Sequence, residues 1–181
     1  MKFKGVQYKL GDFLELWDIS FNKSSIVKLL KIVQVPPHLE KMPFILVEWC
    51  LRKYDLPVDV QYAFGKHISI AEVFPSSIKY CLPIESIKGK CQIVSFEEYG
   101  QMTTTLENYF YTRSKYDQET RKLIPGPEEW KKACSCGAPE NPDLPYVQCG
   151  SCDNWYHIEC IKNFKEDRSY TCEDCNVFLS Y

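Results

Sequence analysis

The chain lacks the marks of several large protein classes. No stretch of its 181 residues approaches the roughly 18 consecutive apolar residues of a membrane span. Met1-Lys2-Phe3-Lys4 has no apolar signal-peptide core, so a secretory leader is not expected, and neither a low-complexity run nor an internal repeat is visible. There is no nucleotide-binding glycine loop, and no Ser/His/Asp frame can be assembled, because His38 and His67 lie in loop-like stretches and read as surface histidines. An excess of basic charge is missing too. Residues 1–131 hold 18 Lys/Arg against 16 Asp/Glu, so Lys79, Lys88 and Lys90 read as part of a solvated face and not as a nucleic-acid patch.

Cysteine is what the chain has in quantity, with ten residues. Cys50, Cys81 and Cys91 sit among apolar neighbours without partner spacing, as expected in a reducing cytosol or nucleus. The other seven join one histidine in four short pairs: Cys134-x-Cys136, Cys149-x2-Cys152, His157-x2-Cys160 and Cys172-x2-Cys175. Each pair puts two soft donors on one tight turn, as tetrahedral Zn²⁺ requires, and eight donors make two sites. A disulfide framework is the alternative; a histidine in register with the doublets speaks against it. With both shells full, no position is left for a catalytic water, so the zinc is expected to be structural. A segment of about fifty residues has too little core to fold alone, and metal binding would supply much of its folding free energy. Residues 132–181 hold 4 Lys/Arg against 8 Asp/Glu, and seven thiolates with two Zn²⁺ bring the segment to about −7. Such a module attracts a basic peptide and repels a phosphate backbone.

Upstream, the pattern is that of short strands. Val6 to Leu16 reads as strand, Gly-Asp turn and strand; Ser20 to Ser25 as a loop; and Ile26 to Val35 as a strand stopped by Pro36-Pro37. Phe44 to Leu51 is the strongest strand and, being apolar on both faces, is expected to be central. Residues 52–69 read as loop, Glu72-Val73-Phe74 as a short strand before Pro75, and Ile84 to Val94 as leading into another strand. Ser95 with Glu98 three residues on is a capping box that opens a short helix over Phe96–Leu106. An aromatic strand over Asn108–Arg113, a turn and return over Tyr116–Leu123, and Pro125-Gly126-Pro127 complete a mostly β, barrel-like domain.

The donor order of four cysteines, one histidine and three cysteines resembles the PHD finger, a chromatin-reading module, as do Trp155 two residues before His157 and Tyr170 two before Cys172. A RING-type ubiquitin ligase, the alternative cross-brace, usually carries its histidine one place earlier. The resemblance implies interleaved sites: Cys134, Cys136, His157 and Cys160 on one zinc, and Cys149, Cys152, Cys172 and Cys175 on the other. Upstream, Gly11-Asp12-Phe13, the Trp49 strand, Glu72-Val73-Phe74, Ile87-x-Gly89-Lys90-Cys91-x-Ile93 and Tyr109-Phe110-Tyr111 follow one another as in a BAH domain. The pairing is similar to the plant BAH–PHD histone readers. A BAH domain over residues 1–130 and a PHD finger over 131–181 are therefore expected, packed together across a short linker.

The resemblance also implies a ligand and its contacts. Trp155 and Tyr146 match two walls of an aromatic cage for methyl-lysine, while two further cage positions hold Glu140 and Ala133. Tyr146-Val147-Gln148 would be the sheet edge onto which a peptide adds as a strand, and Asp153 stands where such fingers meet an arginine of the histone H3 tail. The finger is thus expected to bind the H3 N-terminus methylated at lysine 4, in a nuclear, non-enzymatic protein. In the BAH part, Trp49 matches one wall of a second cage, but Ser25 and Leu51 occupy other cage positions and Ile78 and Tyr80 replace a histidine and an aspartate; Tyr54, Tyr62 or Tyr80 would have to substitute from a loop. That domain is expected to take a second histone mark, a nucleosome surface or a partner protein. A non-reading adaptor of a chromatin complex is the alternative for the whole chain.

Overall fold

The computed structural model describes residues 1–181 except 19–22, 35–41, 104–106, 163, 166–168 and 179–181. It divides into two compact units, Met1–Gly126 and Pro127–Tyr181.

The first unit opens with a small hairpin, β1 (Lys2–Phe3) and β2 (Val6–Gln7), and turns through Gly11, whose φ of 90° suits a residue without a Cβ. Its sheet is built from β3 (Phe13–Asp18), β4 (Lys23–Val33), β5 (Phe44–Arg52), β6 (Val73–Pro83), β7 (Ile87–Ser95) and β8 (Tyr109–Thr112), in the order β6-β5-β4-β3-β7-β8. All pairs are antiparallel except β7 with β8. Side chains alternate across the pleat, so β4 feeds two cores. Val27 and Leu29 join Leu14, Leu16, Ile45 and Val47 on one face; Ile26 joins Cys50, Val73, Cys91 and Phe110 on the other. The sheet curls until its ends meet, where the Tyr111 N–H donates to the Ala71 carbonyl at 3.1 Å and Glu72 bridges to Tyr111. A second hairpin, β9 (Lys115–Asp117) with β10 (Lys122–Ile124), follows.

That seam holds a buried polar network. Glu72 is fully buried and accepts two hydrogen bonds from Arg113, from Nε at 2.9 Å and Nη2 at 2.8 Å, and one from the Tyr111 hydroxyl at 3.3 Å. Arg113 also donates to the His67 carbonyl and lies over the Phe96 ring at 4.6 Å. Burial pushes the Glu72 carboxyl up, with Arg113 and Tyr111 holding it back.

Several expectations change against this frame. Residues 52–69 are not a loop: they contain α1 (Val58–Phe64) between two 3₁₀ turns, and its start is marked by Pro57 at the N-cap and Asp59 in the first turn. The short strand at Glu72–Phe74 is an eleven-residue strand that runs through Pro75 to Pro83. Proline is tolerated there because β6 ends the strand order and its register with β5 shifts beside Pro75. The capping box at Ser95 and Glu98 is present, with bonds of 2.8 and 3.1 Å, but α2 (Phe96–Gly100) stops at Gly100 instead of Leu106. β5 is bonded on both sides yet lies next to an end of the order, not at the centre. The expected loop at Ser20–Ser25 lies partly outside the described residues, and Lys23–Ser25 belong to β4. His38, Val35 and Pro36-Pro37 fall outside them altogether. Cys81 is exposed instead of apolar in setting, and His67 is half-buried beside the seam, not on the surface.

The seam gives a direct test of how far the first unit depends on its polar lock. Arg113→Met alone leaves the Glu72 carboxylate buried without its counter-charge and should destabilise this unit by about 3–5 kcal/mol in urea unfolding followed by circular dichroism. Glu72→Leu added to Arg113→Met should recover more than half of that loss.

Candidate metal centres and peptide surface

The second unit positions its donors on loops around one small hairpin, β11 (Tyr146–Gln148) with β12 (Trp155–His157), followed by α3 (Glu173–Phe178), which carries Cys175. Cys134, Cys136, His157 and Cys160 form one tetrad, and Cys149, Cys152, Cys172 and Cys175 the other, with the donor atoms of each within 4.8 Å of one another. The two sets alternate along the chain, which is the cross-brace. Two zinc ions fit these tetrads. With Zn–S near 2.3 Å and Zn–N near 2.05 Å, a tetrahedron has S–S edges of roughly 3.8 Å and N–S edges of roughly 3.6 Å. Cys152 Sγ lies 3.8 Å from Cys172 Sγ, and His157 Nδ1 lies 3.5 Å from Cys136 Sγ and 3.9 Å from Cys160 Sγ. These edges are far from a disulfide bond of about 2.05 Å, and all ten cysteines are free.

Local hydrogen bonds favour the thiolate at Cys149 and Cys134. The Cys172 N–H donates to Cys149 Sγ at 3.3 Å and the Ser151 N–H at 3.5 Å, and these bonds pull the Cys149 thiol down to about 6. Burial pushes Cys134 up, but hydrogen bonds from Cys136 and His157 outweigh it and bring that thiol to about 6 as well. The buried cluster of this unit is Cys134, Cys149, Cys172 and Tyr156, with Tyr170 edge-on to Tyr156 at 5.5 Å. Three of its four buried members are ligands.

The hairpin register places the expected peptide contacts. Tyr146 lies opposite His157, Val147 opposite Tyr156 and Gln148 opposite Trp155. Alternation then sets Tyr146 and Trp155 on one face at diagonal positions, a relation that typically separates Cα atoms by about 7–8 Å. Trp155 is 48% exposed, whereas Tyr156 beside it turns into the core. The Tyr146 ring packs on the His157 imidazole at 4.6 Å, and its hydroxyl accepts the Asn141 N–H at 2.9 Å. Burial raises the Tyr146 hydroxyl, so it stays neutral. Asp153 is exposed in the left-handed conformation, φ 59°; its N–H donates to the Cys149 carbonyl and its own carbonyl accepts from Gln148 Nε2. Glu140 is paired with Lys131 at 3.0 Å. Ala133 is half-buried.

In the first unit, Trp49 is half-buried against the core and stands edge-on to Tyr80 at 5.4 Å. Tyr80 comes from β6 and not from a loop, while Tyr54 and Tyr62 project from the α1 region at 74% and 95% exposure. Ser25 and Leu51 are buried at 3% and 7%. Lys88 and Lys90 are bound to Glu15 and Asp12, which removes them from any free basic patch. Tyr80 is thus the one of the three expected tyrosines with a ring contact to Trp49 among the described residues, and it reaches Trp49 from the part of β6 that continues past Pro75.

The fold and the donor set define the class: a BAH fold, followed by a cross-braced two-zinc finger with the ligand order of a PHD finger. The BAH domain of yeast Rsc2 superposes with a TM-score of 0.50 over 77% of this chain and 56% of that one, at 14% identity. The chromatin remodeling protein SHL of Arabidopsis thaliana is 31% identical over 109 residues, 58% of this chain and 47% of SHL. The chromatin remodeling protein EBS of the same plant is 30% identical over 95 residues, 50% of this chain and 40% of EBS. The Polycomb protein Pcl of Drosophila melanogaster is 46% identical over 33 residues, 18% of this chain and 3% of Pcl. The chain thus spans about half the length of SHL and less of EBS. No family model matches it.

Elemental analysis of the purified chain should give two Zn²⁺ per molecule. Cys149→Ser should lower the zinc content and collapse the NMR dispersion of residues 127–181, because little apolar core remains there to hold them.

Proposed function

We propose that this is a nuclear, chromatin-associated binding protein whose finger takes the N-terminal tail of histone H3, methylated at lysine 4, between Tyr146 and Trp155. The observation that carries the reading is the half-exposed Trp155 on the same hairpin face as Tyr146. A methylated ammonium keeps its charge and sheds hydration, and an aromatic face attracts it by about 0.5–2 kcal/mol. Strand β11, with Val147 at its centre, offers an edge to an extended peptide, and Asp153 offers a carboxylate to a basic residue of that peptide. The acidic finger favours a basic tail over nucleic acid. The names of SHL and EBS, both chromatin remodeling proteins, support the chromatin setting.

The domain assignment is part of this reading: a BAH domain over about 1–130 and the finger over 131–181. For the BAH domain, buried Ser25 and Leu51 leave Trp49 and Tyr80 as the aromatic groups at the expected pocket. A nucleosome or partner-protein surface fits it better than a complete second cage. Both roles are binding roles, and the full zinc shells suit a structural metal.

Calorimetric titration of the zinc-loaded chain with H3 tail peptides tests the finger. Binding of a methylated peptide should weaken by roughly 5–30-fold in Trp155→Ala, with zinc content unchanged. Tightest binding to the unmodified tail would overturn the methyl-lysine reading; no binding to any peptide would favour the adaptor.

A further inference from the structure

Glu140 occupies a position where the resemblance anticipates an aromatic wall, and the structure gives its carboxylate a defined setting. The Glu140 N–H donates to the Lys131 carbonyl at 2.8 Å and Lys132 bridges to Pro139, so a short ladder fixes this backbone. The next residue, Asn141, is bonded through its N–H to the Tyr146 hydroxyl. Glu140 is therefore held beside one wall of the cage, near enough that its charge adds to burial in raising that hydroxyl. Its side chain is only 27% exposed, and the ammonium against it, Lys131 Nζ at 3.0 Å, sits on a stem that is 70% exposed. Lys131 and an incoming peptide lysine present the same chemistry to this carboxylate, and a pair with so exposed a lysine is weak enough to be exchanged.

We propose that Glu140 makes the cage prefer a lysine that retains an N–H, mono- or dimethylated over trimethylated, and that Lys131 competes with the peptide lysine for the Glu140 carboxylate. This rests on Tyr146 and Trp155 forming a methyl-lysine cage. Every methylation state of lysine carries one positive charge, so the long-range attraction of Glu140 is common to all. A charge-assisted hydrogen bond is not: dimethyl-lysine can donate one, monomethyl-lysine two and trimethyl-lysine none. The two aromatic faces meanwhile favour the methylated forms over the bare, strongly hydrated ammonium. Selectivity among methylation states therefore isolates the hydrogen bond from the bulk charge.

The experiment titrates the zinc-loaded full chain with H3 tail peptides bearing lysine 4 in its four states, for wild type, Glu140→Gln, Lys131→Ala and Trp155→Ala. Wild type should bind the mono- or dimethylated peptide about three- to tenfold more tightly than the trimethylated one. Glu140→Gln should abolish that ratio with two zinc ions retained. Lys131→Ala should strengthen binding of all basic peptides and widen the ratio by about two- to fivefold. A ratio unchanged by Glu140→Gln, or a wild-type preference for the trimethylated form, overturns the proposal while leaving the cage standing if Trp155→Ala still weakens binding. Absence of binding to any peptide overturns both the cage and this refinement of it.

Discussion

Metal coordination is the constraint on which the finger depends. Among the described residues its buried cluster holds one non-ligand side chain, Tyr156, beside three cysteines, with Ile161 and Tyr170 partly buried against it, so the apolar core is too small to set the chain path alone. The ligands set it instead. His157 closes one tetrad from the end of β12, and Cys149 opens the other just past β11, so both tetrads clamp the same hairpin. Tyr146 packs directly on a ligand ring, which makes one wall of the proposed cage part of the support of the metal centre. Distortion of the His157 tetrad would therefore be felt at the peptide surface without any direct contact between peptide and zinc.

The first unit solves its folding problem differently. It has apolar clusters on two faces of a curled sheet, and the cost it carries is electrostatic: a carboxylate with no exposure at the place where the sheet closes. Desolvation opposes that charge, and two bonds from one guanidinium, joined by one from the Tyr111 hydroxyl, make it tolerable. The same guanidinium reaches the His67 carbonyl and so ties the 3₁₀ turn after α1 to the seam. A hydrophobic pair there would seal the sheet but would not hold that turn.

Legibility from sequence followed the range of the interaction. The metal tetrads could be read because their paired donors are short-range and their order along the chain is distinctive; the 3.8 Å edge between Cys152 and Cys172 is the expression of that order. The capping box at Ser95 was legible for the same reason, since both partners lie within three residues. What escaped was non-local. Pro75 signals a strand end in isolation, and only the end of the strand order and a register shift against β5 make it acceptable. The engagement of Lys88, Lys90 and Glu140 by ion partners depends on neighbours that no local pattern specifies. Helix α1 is a further case: it lies in a stretch that reads as loop, and Pro57 at its N-cap and Asp59 in its first turn are its short-range start features.

Charge and aromatic surface divide the work of recognition in the proposed reading. The finger's acidity attracts any basic tail, and such attraction is long-ranged, screened by salt and blind to methylation. It raises encounter frequency without choosing among peptides. Choice requires contacts that differ between lysine forms, and Tyr146 and Trp155 do so by favouring a cation that has lost hydration. Two walls make a shallower enclosure than four, so the group at the open side acquires more weight in the outcome. At Glu140 that group is a carboxylate already engaged by a lysine of the same chain. On this reading the finger's selectivity is set less by how strongly the aromatic rings bind a cation than by whether that cation still has a proton to donate.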